Sequence, residues 1–288
     1  MKGQIEIVIG GANRGYIVGP SAQKIQPLIT KAVNDGWDTV ADKIPSSENT
    51  RVYQLPEPIN GFYKEFLSRS KIESIKTLIK GSRAKRHIEQ STLLVNNGFN
   101  SPLLLAEGCL DNRDFVVTQT VPGFSFGDFL GTVLRRPDNK KDLHWKRSLI
   151  TSVGALIGGL HSVGIVHGDL RPNNLLLAEK EGKSHWYFID NERNKKSNGP
   201  VRRRDIIKNL VQMNMLHPVD MTMTDRRRFF SAYFSVYPSP YNPREIEKET
   251  IKKALDRLSS KPVFDPQKHR IESSVAIARA FARSGTDK

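Results

Sequence analysis

LHSVGIVHGDLRPNNLLL, residues 160 to 177, sets a tight polar run between two apolar strings. His167, Asp169 and Asn174 share that run. The apolar residues before it continue a helical pattern from KRSLITSVGALIGG, and those after it lead toward HWYFID, which reads as a strand. A helix, a polar loop and a strand ending in Asp190 therefore follow one another, and the loop has to hold something.

Phosphoryl transfer supplies a chemistry that fits. It needs a carboxylate to orient and deprotonate the acceptor, a metal ion held by an amide oxygen and a second carboxylate, and cations for the developing charge. The pattern H-x-D-x-x-x-x-N puts Asp169 in place as base and Asn174 as magnesium ligand, and the strand after the loop delivers Asp190 as second metal ligand. Arg171, just beyond the base, is placed to neutralise charge on the transferred group. His167 is expected to brace backbone rather than to act as a base.

Around this centre the chain changes character. QIEIVIGGANRGYIVG reads as a hairpin turning through Gly10 and Gly11; its glycines match neither the dinucleotide nor the P-loop spacing. TVADKIPSSENTRVYQL and INGFYKEFL read as three short strands, SRAKRHIEQSTLLVNNG as a helix stopped at Gly98, and DFVVTQTVPG as a strand entering a turn. Beyond Gly123 the pattern is mostly helical: FGDFLGTVLRR, then RRRDIIKNLVQMNM, TDRRRFFSAYFSVY and PREIEKETIKKALDRL, the last capped by Asn242-Pro243. SSVAIARAFAR reads as a final helix or an amphipathic strip. The expectation is an α+β chain of two units, a β-rich one over 1–121 and a helical one over 122–288.

The 288 residues, 38% of them hydrophobic, suffice for two such cores. Cys109 is the one cysteine, which excludes an internal disulfide and thiolate metal cages; its apolar neighbours suggest a small buried residue. The N-terminal apolar run is too short for a signal peptide, and no stretch approaches the roughly 20 apolar residues of a membrane span. A cytoplasmic protein is the resulting expectation. Forty-five Lys and Arg against 30 Asp and Glu give +15, a surface suited to anionic partners. Arg193 to Lys208 and Lys71 to Arg86 concentrate that charge. Such runs are as often plain solvated faces.

The loop and the strand ending in FIDNER resemble the protein-kinase-like superfamily. Within it, the Asp-Asn-Glu-Arg box, the basic run after it, KNLVQMN, GFYKEF and FFSAYF are most similar to the bacterial lipopolysaccharide kinase family, the Kdo/heptose kinases of the core oligosaccharide. The resemblance covers roughly residues 37 to 235. It implies a two-lobed kinase fold, ATP and Mg²⁺ as cofactors, and a core sugar as acceptor. It also implies that Lys64 clamps the α- and β-phosphates, that Glu89 pairs with Lys64, and that adenine is read beside Thr118 by the backbone of Gln119 to Val121. The plain readings are a solvated Lys64 and a surface pair of Glu89 with Lys85.

Several positions depart from the superfamily pattern. Gly168 stands where an arginine usually reads a phosphorylated activation loop, which argues against that control. PSSENT replaces the glycine-rich loop, with Ser46, Ser47 and Thr50 offering hydroxyls and amides to phosphate. Glu192 is either an extra metal ligand or, the favoured reading, an ion-pair partner of Arg202 to Arg204. Asn209, where related kinases often carry an acid, is read as structural. Almost no activation segment separates Asp190 from RRRDIIKNL, so a peptide substrate is disfavoured.

Together these features imply a cytoplasmic kinase of a lipopolysaccharide core sugar or another sugar acceptor, with peripheral contact to an anionic membrane face. The other readings are a kinase of a soluble sugar, aminoglycoside or choline, and a non-catalytic ATP-binding regulatory protein. Nucleic acid is not expected as a partner: aromatic residues make up 8% of the chain and no stacking motif is present.

Overall fold

The computed structural model describes residues 4–67, 81–134, 137, 139–180 and 183–260. Two compact units emerge, Met1–Asn96 with Ser101–Val121, and Asn97–Asn100 with Pro122–Lys288. The tail segment SSVAIARAFAR and most of the Lys71–Arg86 basic run lie outside the described residues.

In the first unit seven strands form one antiparallel sheet: β1 (Ile5–Ile9), β2 (Ala12–Val18), β3 (Asp42–Ile44), β4 (Thr50–Leu55), β5 (Gly61–Phe66), β6 (Leu104–Leu110) and β7 (Arg113–Gln119). Their spatial order is β1-β2-β6-β7-β5-β4-β3. Alternation along β7 sends Phe115 and Val117 to one face and Val116 to the other. Helix α1 (Ala22–Asp35) covers the first face, burying Ile25 and Ile29 against Ile7, Ile17, Tyr63 and Phe115. Trp37 stacks on Tyr53 at 4.6 Å and lies 4.2 Å from Tyr63, closing that core. Helix α2 (Arg83–Asn96) packs on the second face, where Ala84 meets Phe66 and Val116.

The expected hairpin, strands and α2 are present. The sequence reading assigned no element to α1, although Ala22, Ile25, Ile29 and Ala32 recur at helical spacing and are all buried. Pro27 inside the helix obscures the pattern. Cys109 is a correction of another kind: on β6 it is only half-buried, so it is not the fully buried residue expected.

The second unit is built on α3 (Lys140–Ser162), started by Asn139, whose side chain accepts from the Asp142 amide at 2.9 Å. Helix α5 (Met223–Val236) packs against it. Gly154 and Gly158 permit the contact: a Cβ there would lie 2.4 Å from Phe229 O and 2.6 Å from Tyr233 O. Lys146 on α3 is buried 3.8 Å from Asp225 on α5, and burial pulls its ammonium down from the usual lysine range. Helices α4 (Arg203–Met213) and α6 (Pro243–Ser259) complete the helical part. A small sheet joins β8 (Gly123–Ser125), β10 (Leu175–Lys180) and β11 (Lys183–Phe188), with β10 central.

Residues 97–100 cluster with this unit for a visible reason. Asn100 donates to Trp186 O at 3.0 Å and accepts at its own carbonyl from Phe188 N at 2.9 Å, while Phe99 meets Phe188 edge-on. Among the described residues no helix is long and apolar enough to cross a membrane.

Candidate active site

Strand β9 (Ile165–Val166) pairs antiparallel with β12 (Lys195–Lys196), which sets the chain entering the polar loop beside the chain leaving the turn after Asp190. Residues 167–174 follow β9 and close through a 3₁₀ turn, Pro172–Asn174, in which Pro172 sits at a first position that needs no N–H. The Asn174 amide then bonds Arg171 O at 2.9 Å and the chain enters β10.

Helix α4 docks on the loop through side chains. The Asn209 amide treats His167 as a neighbouring strand would: its Oδ1 accepts from His167 N at 3.0 Å and its Nδ2 donates to His167 O at 2.7 Å. The same Oδ1 faces His161 Nε2 at 3.2 Å, and His161 Nδ1 lies 2.7 Å from the Tyr233 hydroxyl. His167 is fully buried, with Nδ1 receiving the Asp169 N–H at 3.2 Å and Nε2 facing Ile189 O at 3.1 Å and Asn191 Oδ1 at 3.2 Å. These partners assign both imidazoles as neutral, protonated on Nε2. His167 is thus a brace, as its position in the loop suggested.

Burial pushes His161 down to about 4 and lowers His167 too. An unfolded chain takes up these protons as pH falls through about 6.5, whereas the folded protein resists, so stability is complete above that value and declines below it. His161 is expected to remove about 1 kcal/mol per pH unit between pH 6 and 5, and His167 adds to the loss in the same direction. Urea midpoints across that range should fall, and His161→Gln should flatten the slope. A midpoint constant from pH 6.5 to 5 would contradict buried neutral imidazoles.

The Asp169 side chain is one-quarter exposed. Its Oδ1 accepts from Arg171 Nε at 2.9 Å and from Gln212 Nε2 at 2.9 Å. Asn174 Nδ2 donates to Asp169 O at 2.8 Å, which commits the amide nitrogen inward and leaves Oδ1 for a cation. Asp190 is exposed in the left-handed conformation, φ 58° and ψ 44°, at the start of the 3₁₀ turn Asn191–Arg193. Such a conformation costs a non-glycine residue energy and is a mark of functional turns. One amide oxygen and one carboxylate suit Mg²⁺, which is bound through few protein oxygens with phosphate and water supplying the rest. Among the described residues no three His, Cys, Asp or Glu converge on a metal by themselves.

The resemblance-derived residues of the first unit divide. Lys64 on β5 stands opposite Val52 and Val116, on the sheet face that α2 covers, with Nζ 5.5 Å from the Phe66 ring centre. Glu89 is a correction. It lies on the exposed side of α2, its side chain is half-exposed, and its carboxylate is 3.9 Å from Lys85 Nζ, so it makes the surface pair rather than a pair with Lys64. The face turned to the sheet carries Ala84, His87 and Leu94 instead. At the end of β7, Gln119 N bonds Leu103 O at 2.8 Å and Thr120 N bonds Asn60 O at 3.0 Å. Val121, next in line, ends the unit. In PSSENT the hydroxyls serve the turn: Ser46 Oγ donates to Thr50 O at 2.8 Å, and Ser47 Oγ is 3.0 Å from Thr50 Oγ1.

The favoured ion pair of Glu192 with Arg202 to Arg204 does not form. Arg202 and Arg204 turn to Asp205, at 2.8 and 3.9 Å, and Arg203 to Glu249 at 2.7 Å. Glu192 is buried, with Arg193 Nε 4.0 Å away. Gly168 also gains a physical reason. A Cβ there would lie 2.1 Å from Arg193 Cβ and 2.5 Å from Arg193 O, so the turn after Asp190 packs where a side chain would stand. Asn194 Oδ1 completes the contact by accepting from Gly168 N at 3.0 Å.

Sequence reasoning missed Gln212 and Asn194. Gln212 had a signal: one helical turn beyond Asn209, it shares the face that meets the loop. Asn194 had none.

Residues 108–233 match the family model "Lipopolysaccharide kinase (Kdo/WaaP) family". The family resemblance is borne out over that segment. It includes the loop, Asp190, Asn209 and Gln212, and the expectation of a protein-kinase-like fold stands with it. A solved structure, "WaaP in complex with acyl carrier protein", is similar with a TM-score of 0.55 at 19% identity, over 84% of this chain and 98% of that one, a likeness of fold. Short stretches also resemble EKC/KEOPS complex subunit bud32. The protein of Aspergillus clavatus is 42% identical over 38 residues, 13% of this chain and 14% of that protein. The protein of Aspergillus oryzae is 39% identical over 56 residues, 18% and 19%. The chain thus spans less than a fifth of those curated relatives.

Proposed function

We propose that this chain transfers the γ-phosphoryl group of ATP to a sugar hydroxyl of the lipopolysaccharide inner core, on Kdo or heptose. The observation that carries the chemistry is the Asp169 carboxylate, held by two donors at 2.9 Å each beside the inward-turned amide of Asn174. The family match over residues 108–233 supports the acceptor class.

In this reading Asp169 takes the proton of the acceptor hydroxyl as its oxygen bonds to phosphorus and ADP leaves with the former bridging oxygen. Asn174 and Asp190 hold Mg²⁺, which when bound neutralises phosphate charge. The Arg171 side chain is about two-thirds exposed; with Nε on Asp169, it has its terminal nitrogens for the transferred group. Lys64 is proposed to clamp the α- and β-phosphates, and the Gln119–Val121 backbone to read adenine. The +15 charge supports peripheral contact with an anionic membrane carrying the acceptor, at roughly 1 kcal/mol per basic residue near the surface.

The test is label transfer from [γ-³²P]ATP·Mg²⁺ to lipid-linked core lacking phosphate, beside soluble sugars, choline, an aminoglycoside and peptides. Wild type should label the lipid-linked core, and Asp190→Ala should not. Label confined to a soluble compound would replace the acceptor. The short likeness to bud32 makes that arm worth running, because a stretch of this chain resembles a protein of another description.

A further inference from the structure

The α4 face that meets the loop does more than hold backbone. Gln212 reaches the reacting group itself. Its Nε2 donates to Asp169 Oδ1 at 2.9 Å, while its Oε1 accepts from Leu170 N at 3.3 Å and from Asn209 Nδ2 at 3.4 Å. Two donors on the oxygen side leave the amide one orientation, so the nitrogen must face Asp169. Asn209, which supplies one of those donors, is itself fully buried and bonded to His167 N and O. The Gln212 amide is therefore aimed by a rigid element rather than by its own rotamer preference.

We propose that Gln212 is the positioning residue for Asp169, setting the rotation of the carboxylate so that Oδ2 is the atom presented to the acceptor proton. The inference rests on Asp169 as the base. Oδ1 already accepts from Arg171 Nε and Gln212 Nε2, and those bonds occupy the lone pairs that would otherwise compete for the incoming proton. Arg171 alone does not fix this geometry: its side chain is about two-thirds exposed, and a solvated ion pair of that kind is weak and mobile. Gln212 differs in being anchored at its far atom to the backbone of the residue that follows the base.

Two substitutions separate positioning from bulk structure. Gln212→Glu keeps the size and the Oε1 acceptor for Leu170 N but replaces the donor facing Asp169 by a second carboxylate oxygen. Gln212→Leu removes donor and acceptor together. Single-turnover rates from ATP·Mg²⁺ are read against pH with lipid-linked core lacking phosphate and, without acceptor, with water, alongside KM for ATP and Asp169→Asn. The expected result is a 10- to 100-fold lower rate in both variants with KM for ATP within twofold. In Gln212→Glu the acidic limb of the rate profile should also move up by at least about one pH unit, because two facing carboxylates cannot both ionise freely.

A purely structural role would lower the rate equally at every pH and leave that limb in place. Rates within twofold of wild type and an unmoved limb, with Asp169→Asn inactive, would overturn the positioning role alone. Turnover retained by Asp169→Asn, or none by wild type on either acceptor, would overturn the base reading and this inference with it.

Discussion

Asp169→Asn is expected to lower phosphoryl transfer by about 10²- to 10⁴-fold, the contribution of a positioned general base, with folding stability little changed. The substitution keeps the shape of the side chain, and an amide oxygen at the Oδ1 position still accepts from Arg171 and Gln212, which now lie 2.9 Å away. The backbone of residue 169, bonded to His167 Nδ1 and to Asn174 Nδ2, is untouched. What disappears is the capacity to take a proton at the second oxygen. A rate within tenfold of wild type on the labelled acceptor would remove Asp169 from the chemistry, and with it the assignment built on this loop.

Asn209→Asp should destabilise the protein by on the order of 3 kcal/mol at pH 7. The carboxylate can still accept from His167 N and His161 Nε2, but it has nothing to donate to His167 O, now 2.7 Å from Asn209 Nδ2. A buried carbonyl loses its partner and faces a buried charge, each costing roughly 1–3 kcal/mol. Protonation restores a donor, so the deficit relative to wild type at the same pH should shrink as pH falls toward 4. Urea unfolding at pH 7 and pH 5 measures both. Equal stability at pH 7 would mean that the His167 brace is held by something other than α4. Related kinases often have an acid here; in this chain the close carbonyl makes an amide the residue that fits.

The sequence by itself determined the parts whose chemistry lies along one short stretch. In residues 167–174 the distance from Asp169 to Asn174 is set by a few consecutive peptides, so the roles proposed for them could be assigned without knowing what surrounds them. The same holds for the strand ending in Asp190, and for β5, where simple alternation puts Lys64 and Phe66 on one face. Glu89 was misjudged because a helical pattern tells which residues share a face but not the rotation of the helix against its neighbour; α2 turns His87 inward and Glu89 to solvent. The Glu192 ion pair failed for a related reason: Arg202 and Arg203 found nearer partners in Asp205 on their own helix and in Glu249 on α6. Asn209 and Gln212 reach the loop from 42 and 43 residues away. Gly168 is a glycine because the backbone of Arg193 occupies the space of a Cβ. Those contacts exist only once α4 and the turn after Asp190 have packed on the loop. Local spacing nominated the groups proposed to react, and long-range packing decided which neighbours contact them.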